Sequence, residues 1–142
     1  MMKELTVDAA IENIPVVTAF VEEQLEQVGC PMKAQMQIDL AVEEIFVNIA
    51  SYAYTPKEGS AAVRVELTEE PVSVSISFLD RGVPYDPLAK EDPDVNALAQ
   101  ERKIGGLGIF LTKQVMDEVR YEYRDGQNIL TMRKDLGQGG GL

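Results

Sequence analysis

Histidine is absent from all 142 residues. That excludes every mechanism needing an imidazole from this chain: a Ser-His-Asp triad, a His-ligated zinc, a phosphohistidine. Cysteine is nearly absent. Cys30 stands alone, so neither an internal disulfide nor a cysteine metal cluster can form. Long apolar runs are missing, and no stretch approaches the roughly 18 residues that a membrane helix needs. The opening MMKELTVDAA has no apolar signal core. Basic residues are few: 13 Lys and Arg stand against 24 Asp and Glu, for a formal charge of −11. Nucleic acid and anionic membranes repel such a surface, so neither is an expected partner. A basic protein is allowed, and an anionic small molecule would need local dipoles or a divalent cation. A reduced, cytoplasmic setting is the expectation.

What is present is clear periodicity over a chain of single-domain length. Leu5 and Val7 alternate with polar residues in a first strand. Asn13 is a plausible N-cap and Pro15 fits the first turn of a helix reaching about Val28, ended by Gly29. Pro31 opens a second helix to about Ala53, with the stripe Ile38, Ala41, Val42, Ile45, Ile49 and Ala53. Two period-two strands follow: Val63, Val65, Leu67, then Val72, Val74, Ile76, Phe78, the latter alternating with Ser73, Ser75 and Ser77. Residues 81–104 carry Pro84, Pro87 and Pro93 and many charges. They read as a long loop with room for a short helix after Asp94, and a loop of that length is usually functional. A helix from about Leu107 to Val115 precedes alternating Val119, Tyr121 and Tyr123. Asp125-Gly126 is a hairpin turn leading into Asn128 to Lys134. One domain, residues 1–136, and a flexible glycine-rich tail, 137–142, are expected. Hairpin connections and one apolar face per strand predict an α+β fold, a two-layer sandwich. Its sheet would be mostly antiparallel, with helices on one face.

Four places offer chemistry. In AVEEIFVNIA, Glu44 and Asn48 lie one turn apart on the edge of the apolar stripe, while Glu43 points toward water. An amide carbonyl suits a hard cation, and the carboxylate can take a proton; two solvated helix residues explain the spacing equally well. Asp80 ends a strand and Gly82 follows. A carboxylate there can accept from an exocyclic amine, with Gly82 leaving room for a ring; a plain turn is the simpler reading. In KIGGLGIFLTK, glycines open a helix whose N–H groups can face an anion. A helix cap accounts for Gly105 or Gly106, but poorly for Gly108. Arg102 and Lys103 precede them and can reach a terminal phosphate, or can simply be solvated.

The order of these features resembles the GHKL ATPases: E-x-x-x-N on a helix, D-x-G after a strand, a long loop, then GGLG opening a helix. DRGVPYDP and GGLGIFLTKQVMDEVRY resemble in particular the anti-sigma factor serine/threonine kinases. The likeness runs from about Leu5 to Lys134. It implies the Bergerat ATP-binding fold, ATP and Mg²⁺ as cofactors, Glu44 as catalytic base and Asn48 as magnesium ligand. It implies Asp80 with Gly82 as the adenine site, and Gly105, Gly106, Leu107 and Gly108 as the phosphate-facing segment. Residues 86–104 would be the lid, with Arg102 and Lys103 near the phosphates. Ile104 stands where some members carry a lid arginine. The implied substrate is an anti-sigma factor antagonist, a sigma factor is a second candidate partner, and a homodimer is the implied assembly. A nucleotide-responsive binding module without efficient phosphotransfer is the alternative, and a purely structural interaction protein is a third.

Overall fold

The first strand, β1 (Met2–Asp8), lies at one edge of a single five-stranded sheet. The computed structural model describes residues 2–54, 59–69, 72–89 and 106–137. The remaining strands are β2 (Ser60–Glu69), β3 (Val72–Asp80), β4 (Glu118–Arg124) and β5 (Gln127–Gly137). Their order is β1-β2-β3-β5-β4, every pair antiparallel. The helices are α1 (Ile14–Glu26), α2 (Met32–Asn48) and α3 (Gly106–Val115). The architecture is α+β, as the alternation predicts.

Period-two strands bury one face. Val63 and Val65 on β2, Val74, Ile76 and Phe78 on β3, and Leu130 and Met132 on β5 are all buried. Val17, Val21 and Leu25 of α1 and Ile38, Val42, Ile45 and Phe46 of α2 meet them in the same cluster. Each such side chain contributes about 1.5–3 kcal/mol by leaving water. The opposite face is polar: Ser77 and Thr131 share a hydroxyl hydrogen bond of 3.0 Å, and Arg64 pairs with Glu4.

Chain punctuation follows local chemistry. Gly29 takes φ +64°. Its N–H donates to the Glu26 carbonyl and that of Cys30 to Leu25, a double bond pattern that closes the C-terminal end of α1. The regular helix therefore ends at Glu26, two residues before the predicted Val28. Asn13 stands at the N-cap position, but its amide donates to the Asp8 carbonyl and caps nothing. Asp125 and Gly126, at φ 55° and 78°, form the primed turn that matches strand twist. The second helix does reach Ala53, but its last turn, Ile49–Ala53, widens to π winding. β5 runs to Gly137, one residue into the expected tail, and 138–142 lie outside the described residues.

Candidate functional site

One end of α2 supplies the first two groups. Glu44 is half-buried, Glu43 is exposed, and Asn48 is 9% exposed, its Nδ2 buried without a hydrogen-bond partner among the described residues. This matches the helical-face reading of residues 41–50. Burial raises the Glu44 carboxyl above its ordinary value, and the neighbouring Glu43 charge adds to the shift. A carboxylate so placed is a better proton acceptor than one in water.

Gly108, in the first turn of the ten-residue α3, meets that carboxylate. A Cβ at Gly108 would overlap the Glu44 carboxyl group, and even the Glu44 Cγ would lie only 2.9 Å away. Glycine here lets the Glu44 carboxylate approach the helix, a reason that the cap reading lacked. Thr112, fully buried, bonds back to the Gly108 carbonyl at 2.9 Å, and Lys134 Nζ donates to the Val115 carbonyl at 2.6 Å. The first bond lies within α3, and the second ties the end of α3 to β5. Gly106 and Leu107 form the start of α3. Arg102, Lys103, Gly105 and Ile104 lie outside the described residues, as do 90–104 of the expected lid with its short helix.

Asp80 is 5% exposed at the end of β3. Its Oδ1 accepts from the Gly82 N–H and from Asn128 Nδ2, both at 2.9 Å. Asn128 lies directly opposite on β5. Gly82 serves a different purpose from the expected one. The volume of its missing side chain is filled by the Ala53 carbonyl, and Val83 N–H donates to that carbonyl at 2.9 Å. Glycine lets the loop after β3 dock on the end of the second helix, so two backbones approach where a ring was expected.

Asn48 and Asp80 open into one cleft, walled by apolar side chains such as Ile45, Phe78 and Leu130. Tyr52 and Tyr85 stand at it with ring centroids 5.9 Å apart. Apolar walls with a few convergent polar groups are the character of a small-molecule site, and aromatic rings offer faces to a planar ligand. Asn128 was not singled out in the sequence. Its signal was there: it occupies an inward position on β5, in line with Leu130 and Met132, where a polar residue is unexpected. Tyr52, at the end of the second helix, and Tyr85, in the loop after β3, gave no comparable signal, because no periodicity marks an aromatic as unexpected at either position.

The site tests the fit of a magnesium nucleotide. The carbonyl Oδ1 of Asn48 is an oxygen of the kind a hard cation takes, while its buried Nδ2, a donor without a partner among the described residues, is left for an acceptor such as a phosphate oxygen. No group of three or more Asp, Glu or Cys residues among the described ones could hold a metal alone. A hard cation here would take most of its oxygen ligands from phosphates and water, as Mg²⁺ commonly does. The residues present fit that arrangement, with the Asn48 carbonyl as the protein ligand among the described residues.

A model of the histidine kinase-like ATPase domain matches residues 7–134. The chain is 31% identical over 100 residues to the serine/threonine-protein kinase BtrW of Bordetella bronchiseptica, covering 70% of each. It is 29% identical over 107 residues to the serine-protein kinase RsbW of Listeria monocytogenes, covering 72% of this chain and 67% of the relative. Among solved structures, the RsbU and RsbW domains of a Mycobacterium tuberculosis protein superpose with a TM-score of 0.67 at 21% identity. That match covers 96% of this chain and 32% of the mycobacterial one, so this chain spans about a third of its length.

Proposed function

This chain belongs to the histidine kinase-like ATPase domain family, and from that premise we propose that it is an ATP-dependent protein serine/threonine kinase of the anti-sigma type. Its substrate is a small anti-sigma factor antagonist carrying the acceptor serine. The observation that carries this reading is the carboxylate of Glu44, held against the entrance of α3 by the missing side chain of Gly108, on the helix edge that also presents Asn48 to the cleft.

The chemistry divides among these residues. Asp80 accepts a hydrogen bond from the adenine amine, which orients the nucleotide. The N–H groups at the start of α3, where Gly106 and Gly108 flank Leu107, are the donors for the phosphates. The Asn48 carbonyl would hold Mg²⁺, which would supply neutralising charge at the triphosphate. Glu44 takes the proton of the serine hydroxyl as its oxygen attacks the terminal phosphorus; the bond to the bridging oxygen breaks and ADP leaves. Arg102 and Lys103 are the cations available to the terminal phosphate. The reading includes a sigma factor as second partner, a homodimeric assembly as in the resemblance, and a reducing cytoplasm, which suits the lone Cys30.

Phosphotransfer from labelled ATP to a co-encoded antagonist tests it. Wild type transfers label to serine, and Glu44→Ala loses about 10²- to 10⁴-fold in rate while keeping ATP binding. Undiminished transfer by that variant removes Glu44 from its role. ATP binding by wild type without any transfer leaves the nucleotide-responsive binding module instead.

A further inference from the structure

Asn128 is the most heavily engaged side chain of the cleft. Its Nδ2 donates to Asp80 Oδ1 at 2.9 Å, to the Val83 carbonyl at 2.9 Å and, more weakly, to the Gly82 carbonyl at 3.4 Å. Its Oδ1 accepts from the Tyr85 N–H at 3.2 Å and from the Tyr121 hydroxyl. Burial pushes the Tyr121 hydroxyl above its ordinary value, partly opposed by the Tyr85 backbone and reinforced by Asp86 and Asp80, so it remains a donor. A primary amide has two N–H donors and two acceptor lone pairs, and all are in use. Asn128 is 7% exposed. It has nothing left to offer a ligand.

Its effect falls on Asp80. Two donors, Asn128 Nδ2 and Gly82 N–H, occupy the same oxygen, Oδ1. The carboxylate is thereby held in one rotation about its terminal torsion, and Oδ2 keeps its lone pairs for a donor in the cleft. The same amide clamps the backbone at Val83 and Tyr85, so the wall bearing the Tyr85 ring moves with the carboxylate. Aspartate could not do this, because a second carboxylate opposite Asp80 would replace a donor with an acceptor and a charge. Threonine has one donor and cannot reach Asp80 and Val83 together.

We propose that Asn128 is the positioning residue for base selectivity: by saturating Oδ1 of Asp80 it aims Oδ2 as a fixed acceptor, so that purines with a 6-amino group are taken and 6-oxo purines are refused. This rests on the nucleotide-binding reading given above. A buried acceptor facing a carbonyl oxygen is left unpaired, which is the basis of strong discrimination between donor- and acceptor-bearing ligands.

Calorimetric binding of ATP and of ITP, which differs at that 6-position, is the test. Wild type binds ATP at least about 100-fold tighter than ITP. In Asn128→Leu the preference falls about tenfold or more, through weaker ATP binding and little change for ITP. In phosphotransfer, KM for ATP rises while kcat, set at Glu44, changes little. Tyr121→Phe keeps the ring and frees only one acceptor bond of Asn128; it moves the ratio the same way by a smaller factor and guards against a misfolded leucine variant. A purely structural asparagine would weaken both nucleotides alike and lower the thermal midpoint, leaving the ratio unchanged, and that result overturns the proposal. A wild type that binds ATP without preferring it to ITP overturns it too, with nucleotide binding intact. A wild type that binds neither nucleotide removes the kinase reading and this inference together.

Discussion

Replacing Gly108 with alanine would put a methyl group where the Glu44 carboxylate lies. The carboxylate sits at the end of a rotatable side chain, so it can swing away at modest cost. Alanine also suits a helix better than glycine by about 1 kcal/mol. The two effects separate stability from chemistry. Gly108→Ala is expected to keep or raise the thermal midpoint while phosphotransfer falls about 10²-fold or more, in line with loss of a general base. A midpoint that collapses, or a rate that survives, contradicts the contact between Gly108 and Glu44. Gly82 differs, because the atom against it is the backbone carbonyl of Ala53, which no rotamer change can relieve.

Between the helices α1 and α2 lies a second pair of acids. Asp39 of α2 has a buried Oδ1 with no donor among the described residues. Its pKa is pushed from the ordinary 3.8 up to about 7, first by burial, then by the hydrogen bond that the protonated carboxyl donates to Glu22 on α1 and by the charge of Glu22, then by the charge of Glu43. Cys30, in the turn between these helices, has its thiol raised by burial and by the Asp39 charge, with Lys134 acting in the opposite sense. The folded state holds on Asp39 a proton that the unfolded chain releases above about pH 4. Stability from this site is fully present below that value, falls as pH rises toward 7, and levels off beyond. Asp39→Asn keeps the shape without the charge. Its urea midpoint is expected to exceed that of wild type at pH 8 and to approach it at pH 5. Parallel pH profiles for the two proteins would remove the Asp39–Glu22 contact as the cause.

At the scale of the whole molecule, the site gathers separated elements. The end of α2, the end of β3, the start of β5 and the start of α3 come together only in the folded chain, so a ligand there binds the native state and not the unfolded one. ATP with Mg²⁺ at about 100 times its dissociation constant is expected to add about 2.7 kcal/mol to unfolding, read as a shifted urea midpoint. Asn48→Ala should shrink that gain when Mg²⁺ is present and matter less in its absence. A midpoint unmoved by the nucleotide contradicts the site as a whole, whatever the fate of the kinase chemistry.

The sheet, its antiparallel sense and the helix layer were legible in the residues, because period two and period 3.6 place apolar side chains without reference to the rest of the chain. The edge of α2 was legible for the same reason: Glu44 and Asn48 follow from helical spacing alone. What Gly108 and Gly82 make room for was not legible. Each faces a group distant in sequence, the carboxylate of Glu44 and the carbonyl of Ala53, and no local pattern encodes a close approach between separate elements. Asn128 is the sharpest case. The sequence determined that an inward strand position is polar; only the register of β3 against β5 decided that this amide stands opposite Asp80. Local periodicity assigns a face, whereas a hydrogen-bond partner is chosen by strand pairing across 48 residues of chain.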